Sequence, residues 1–92
     1  MRLMMMMMMI AGVIALSGPA LAGEPQCTSE PQSKWLSESD MKAKIADLGY
    51  QIRVFKITRG NCYEIYGRDR AGKRIEIYFN PVTGSVVKEN RS

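Results

Sequence analysis

Two carboxylates, two cysteines and a group of tyrosines and arginines are the side chains in this 92-residue sequence whose types and spacing can do chemistry. Glu64 and Glu76 fall at equivalent positions of two alternating segments, so neighbouring strands would project both from one sheet face, the arrangement paired carboxylates need for general acid and base work. Such work requires one of them to hold its proton near neutrality, and hence burial, which an open sheet face does not provide. Arg53, Arg68 and Arg74 instead predict ordinary cross-strand charge pairs with both acids. Histidine is absent, which removes the commonest general base and metal ligand, and no serine or threonine has a base to activate it. No catalytic residue, metal site or cofactor is expected.

Cys27 and Cys62 lie 35 positions apart, a spacing that matches neither a redox pair nor a zinc pair. An even count in an exported chain reads first as a disulfide. Export is indicated by residues 1–22, where Arg2 supplies a positive n-region, residues 3–16 an apolar run, and Ala20-Leu21-Ala22 a small-residue cleavage site after Gly18-Pro19. The apolar run is shorter than the roughly 18 residues that span a bilayer, so the methionines Met4 to Met9 belong to a removable leader. The location expected is therefore periplasmic or secreted.

Cleavage leaves 70 residues, a single domain near the lower limit for autonomous folding, for which a covalent staple matters. Without Arg2 there remain 12 basic and nine acidic residues, a mild excess scattered over turns rather than gathered in a stripe. A nucleic-acid partner is not expected; contact with an anionic membrane surface is compatible with the charge, and the alternative to a protein-binding module is an envelope structural or stress protein that associates with anionic surfaces. Tyr66 and Tyr78, with Arg53, Arg68 and Arg74 around them, combine the residue types that dominate protein-binding hot spots and form the candidate surface for a protein partner.

The elements that would position these residues are legible from periodicity. Residues 23–34 carry two prolines and no apolar period and read as an irregular arm anchored by Cys27. A helix is predicted over 37–48, with Ser37 as N-cap, Leu36 and Met41 as a hydrophobic staple, Met41, Ile45 and Leu48 as the apolar stripe, and Gly49 in a left-handed C′ position. Four strands follow, over 50–58, 61–68, 73–80 and 85–88, the last after the Asn80-Pro81-Val82-Thr83-Gly84 turn. The fold class is α+β, one N-terminal helix packed on a three- to four-stranded antiparallel meander.

Turn chemistry fixes the register. A three-residue loop at 70–72 with Gly72 left-handed pairs Asp69 with Lys73 and sets Tyr63 opposite Phe79, Ile65 opposite Ile77 and Gly67 opposite Ile75. Tyr66 then faces Glu76, and Glu64 faces Tyr78, on the other side. A two-residue loop at Arg59-Gly60 would set Val54 opposite Ile65 and Ile52 opposite Gly67. In that arrangement Phe55, Ile57 and Cys62 point away from the helix, and Cys27 draws the arm over Phe55 and Ile57 as a partial lid. The expected helix-side core is Trp35, Leu36, Met41, Ile45, Leu48, Ile52, Val54, Tyr63, Ile65, Ile75, Ile77, Phe79 and Val86.

Leu48-Gly49-Tyr50 at the helix end, Cys62-Tyr63-Glu64-Ile65-Tyr66, and the segment from Ile75 through Asn80-Pro81-Val82-Thr83-Gly84 to Val87 resemble a small exported bacterial PepSY domain, over about residues 35–88. The resemblance implies a helix on an antiparallel sheet and a binding role in the envelope, with a peptidase as the partner it would restrain, since such domains occur in propeptides of thermolysin-like metallopeptidases. It transfers no catalytic residue. The turn carries Asn80 where such domains usually carry Asp.

Overall fold

The computed structural model describes residues 23–92; the expected leader lies outside them. A 3-10 turn at Gln32–Lys34 precedes helix α1 (Glu38–Asp47) and strands β1 (Gln51–Ile57), β2 (Tyr63–Arg68), β3 (Arg74–Phe79) and β4 (Val86–Arg91). The strands form one antiparallel sheet in the order β1-β2-β3-β4, with the helix packed on one face, so the α+β meander expected from periodicity is the fold.

The helix is bounded as its sequence dictates. Ser37 Oγ accepts a hydrogen bond from the Asp40 amide at 3.1 Å, satisfying one free N–H of the first turn. At the other end Gly49 has φ +94°, its amide donates to Ala46 and the Tyr50 amide to Ile45, a Schellman closure that a residue with a side chain would adopt at a cost. Met41 and Ile45 are fully buried against Tyr63, Ile65, Ile75, Ile77 and Phe79, with Trp35, Leu36, Tyr50, Ile52 and Phe55 packed around them. Trp35 and Phe55 both contact the Tyr63 ring, at centroid distances of 5.5 and 5.0 Å. The Tyr63 hydroxyl donates to the Leu36 carbonyl at 2.7 Å, tying the helix entry to β2.

The β2–β3 hairpin follows the predicted register residue for residue. Gly72 has φ +85°, and Asp69 Oδ1 accepts from the Ala71 and Lys73 amides, both at 2.9 Å. The β1–β2 hairpin differs. Its loop has three residues, Arg59, Gly60 and Asn61, with Asn61 left-handed at φ +60° and the Thr58 amide bonded to the Cys62 carbonyl. That extra residue shifts the pairing by one, so Phe55 faces Ile65 and Val54 faces Tyr66, until a bulge between Ile52 and Val54 restores Ile52 opposite Gly67. Phe55 therefore belongs to the helix-side core and Ile57 to its margin, while Val54 stands on the far face at 47% exposed. Leu48 and Val86, also expected in the core, are exposed: with Lys44, Asp47, Gly84 and Ser85 they line an open recess of about 300 Å³ between the helix end and the start of β4, and β4 itself runs on to Arg91.

The arm is a lid, though not over Phe55 and Ile57. Cys27 and Cys62 are joined, with Cα atoms 5.0 Å apart. The Cys27 amide donates to Gly60, the Asn80 side-chain amide donates to the Cys27 carbonyl at 3.1 Å, and Lys88 Nζ reaches the Gly23 carbonyl at 2.7 Å. The arm thus crosses the end of the face opposite the helix, from the β1–β2 loop to β4. Gly60 permits the crossing, since a Cβ there would strike the Pro25 carbonyl.

Replacing both cysteines (Cys27→Ala with Cys62→Ala) removes the cross-link over a 35-residue separation. The expected loss is about 4 kcal/mol of stability. Urea unfolding checks it; a midpoint unchanged from the oxidised wild type would show that the bridge contributes nothing to the fold.

Candidate functional site

The face opposite the helix has two halves. The half under the arm contains Cys62, Glu64 and Tyr78, which are 0%, 1% and 4% exposed. Strand alternation puts all three on that side, and the register sets Glu64 against Tyr78. The other half, toward the β2–β3 loop, is open and holds Val54, Tyr66, Arg68, Arg74 and Glu76. Together with Arg53, the residue displaced in the β1 bulge, these line a recess of about 580 Å³.

Glu64 is buried, contrary to what an open sheet face suggests, and among the described residues no arginine pairs with it or with Glu76. Its Oε1 lies 3.8 Å from Lys56 Nζ, and its Oε2 meets no hydrogen-bond donor among the described residues. The polar groups that bear on its carboxyl are the Glu76 carboxylate and the Tyr66 hydroxyl. Glu76 is already held by the Tyr78 hydroxyl at 2.8 Å and by the Asn90 amide at 3.1 Å. Two acceptors facing each other in a desolvated place require a proton between them, and the environments decide which group carries it. Burial, reinforced by the Glu76 contact, pushes Glu64 up to about 7. The hydrogen bond from Glu64, with those from Tyr78 and Asn90, holds Glu76 well below the usual carboxylate range. The same pair acts on the tyrosines: desolvation and then the neighbouring carboxylates push the Tyr66 hydroxyl up to about 12, and desolvation and the bond to Glu76 raise Tyr78 further.

Of the five residues singled out for partner binding, the recess gathers Arg53, Tyr66, Arg68 and Arg74. Tyr78 sits apart from them, its ring buried and its hydroxyl committed to Glu76. Sequence reasoning missed Val54, because the bulge that turns it outward has no local signature beyond Gly67 across from it. It also missed Asn90, because the β4 expected from the sequence ends at Lys88. Gly67 is the one usable signal: the Gln51 carbonyl of the bulged strand occupies the place a Cβ would take.

The sequence profile of the peptidase propeptide and YPEB domain family matches residues 6–90. The chain belongs to this PepSY family. No curated protein and no solved structure matches it. Membership relates the chain to peptidase propeptides, which fits a binding or regulatory role. The disulfide of this PepSY domain fits an oxidising compartment, as is typical of the family.

The carboxyl pair makes stability depend on pH with a definite sign. In the unfolded chain both acids titrate near about 4.3. Between there and Glu64's folded value of about 7 the native pair keeps one proton that the unfolded chain has lost. The native state then binds more protons, and stability falls as pH rises through that window. Below about 4.3 the unfolded chain binds more, and the slope reverses. Urea midpoints should accordingly be higher at pH 5 than at pH 7.5 in the wild type and level in Glu64→Gln. Equal slopes in the two proteins would remove the shared proton.

Proposed function

We propose that this PepSY domain is a non-enzymatic binding module of the bacterial envelope, periplasmic or secreted, that restrains a peptidase through the open half of its sheet. The leader at residues 1–22 is removed, residues 23–34 form the arm, and the domain proper is residues 35–92. The family's relation to peptidase propeptides supports a peptidase as the partner. The observation that carries the choice of surface is the recess, where Tyr66 and three arginines converge beside exposed Val54. Tyrosine and arginine in a partly desolvated concavity supply large contact area, directional donors and little conformational entropy loss on binding. The arm covers the other half of the face opposite the helix, which leaves this half for a partner.

Inhibition assays test the reading. Purified oxidised domain in excess is added to catalytic domains of peptidases whose own precursors carry a propeptide of this family, and peptide hydrolysis is followed. At least one should slow severalfold. Tyr66→Ala combined with Arg74→Ala should weaken the inhibition tenfold or more, about 1.4 kcal/mol. Undiminished hydrolysis across the panel would reject the peptidase reading, and equal inhibition by the variant would reject this surface.

A further inference from the structure

The recess has a composition that selects among partners. Its floor is apolar, with Val54 and Tyr66 directly opposite each other on adjacent strands and 47% and 41% exposed. Its rim carries Arg53, Arg68 and Arg74. None of the three is in an ion pair among the described residues; Arg68 donates one bond, at 2.8 Å, to the Gly72 carbonyl and keeps its other donors. Arg91, which also lines the recess, is by contrast already engaged by Asp69 and Glu89. The acid in the wall is Glu76, whose charge is met by Tyr78 and Asn90. Unpaired guanidinium groups around a concave apolar floor are complementary to carboxylates flanking an apolar or aromatic side chain, because the planar fork matches a carboxylate with two parallel bonds. A membrane surface would be met better by basic residues spread over a flat or convex face.

We propose that the recess binds an extended acidic peptide segment of the partner, with an aromatic or apolar side chain on Val54 and Tyr66 and carboxylates on Arg53 and Arg74, and that the proton on Glu64 tunes its strength. This rests on the reading that the open half-sheet is the partner surface. The tuning follows from position. Glu76 lines the recess and Glu64 lies behind it, so the pair presents one negative charge while Glu64 is protonated and two once it is not. The groups facing Glu64 are Lys56 on β1, Tyr66 on β2, Glu76 and Tyr78 on β3, and Lys88 and Asn90 on β4, with Lys88 turned to the arm at Gly23. Lys56 at 3.8 Å softens the added charge without cancelling it. A second negative charge beside the recess opposes an acidic occupant, whose own carboxylates stay ionised from pH 5.5 to 8.

The test uses a fluorescein-labelled, end-blocked ten-residue peptide in which glutamates flank a central tyrosine and leucine, titrated with the oxidised domain at low salt and read by anisotropy. Peptides with glutamine, or with lysine, in place of every glutamate serve as comparisons. The acidic peptide should bind at least tenfold more tightly than either, and Arg53→Gln with Arg74→Gln should weaken it tenfold or more while leaving the melting temperature within a few degrees. Wild-type affinity should drop about threefold or more between pH 5.5 and 8, and Glu64→Gln should hold the tighter value at both. Equal binding of acidic and glutamine peptides, or full affinity in the arginine variant, would overturn the proposal. So would vesicles rich in phosphatidylglycerol binding in an arginine-dependent way when the peptide does not. A pH-independent wild-type affinity would overturn the tuning. Tight arginine-dependent peptide binding supports the acidic-segment assignment even if no peptidase is inhibited, whereas inhibition that survives the arginine changes removes the recess and leaves the peptidase reading standing.

Discussion

Crossing of the sheet by the disulfide-anchored arm is the constraint on which the other features depend. A single helix covers only one side of four strands, and in a chain with 70 described residues one covered face supplies a small core. The link between Cys27 and Cys62, with the Asn80 and Gly60 hydrogen bonds on either side of Cys27, lays residues 23–27 over part of the second face. Cys62, Glu64 and Tyr78 become interior there, and the uncovered remainder becomes a bounded recess instead of a flat exposed sheet. Fold stability and candidate site thus share a cause. The edge of the arm decides where core ends and binding surface begins.

The parts of this arrangement that the sequence makes legible are those written in local chemistry. Ser37, Gly49 and Gly72 each sit where a cap or turn has one good solution, so the helix and the β2–β3 register follow directly. The β1–β2 turn misleads because Gly60 looks like the conformationally special residue. The left-handed position is filled by Asn61, the side chain next most tolerant of it, while Gly60 is needed for the approach of Pro25. One added loop residue flips the faces of Val54, Phe55, Lys56 and Ile57, and the bulge at Arg53 hides the error by the far end of the strand. Half the candidate site, Arg53, Tyr66, Arg68 and Arg74, is visible as residue types; the outward turn of Val54 and the shared proton are not, because both depend on contacts between segments distant in sequence.

Asn80 illustrates such a contact. In its turn it accepts from the Val82 amide at 2.8 Å, a job aspartate does equally well. Its amide nitrogen, however, donates to the Cys27 carbonyl 53 positions away. A carboxylate in its place would turn an acceptor toward an acceptor. The departure from the aspartate usual in PepSY domains therefore has a physical reason specific to a chain whose arm folds back over the sheet.

Glu64 has no comparable structural justification. A buried carboxyl that must keep a proton to face another carboxylate loses stability once that proton leaves, and a glutamine would fill the same space without that loss. Lys56, at 3.8 Å and half exposed, is too long and too wet a partner to offset that. Where a local rule of folding is broken without local compensation, the reason is sought in function. What the ionisation of Glu64 alters is the total charge of its pair with Glu76, and Glu76 is the acid in the wall of the arginine-rimmed recess. The buried carboxyl makes sense as a component of that surface, set behind it so that its protonation changes the field a partner meets without exposing the group itself.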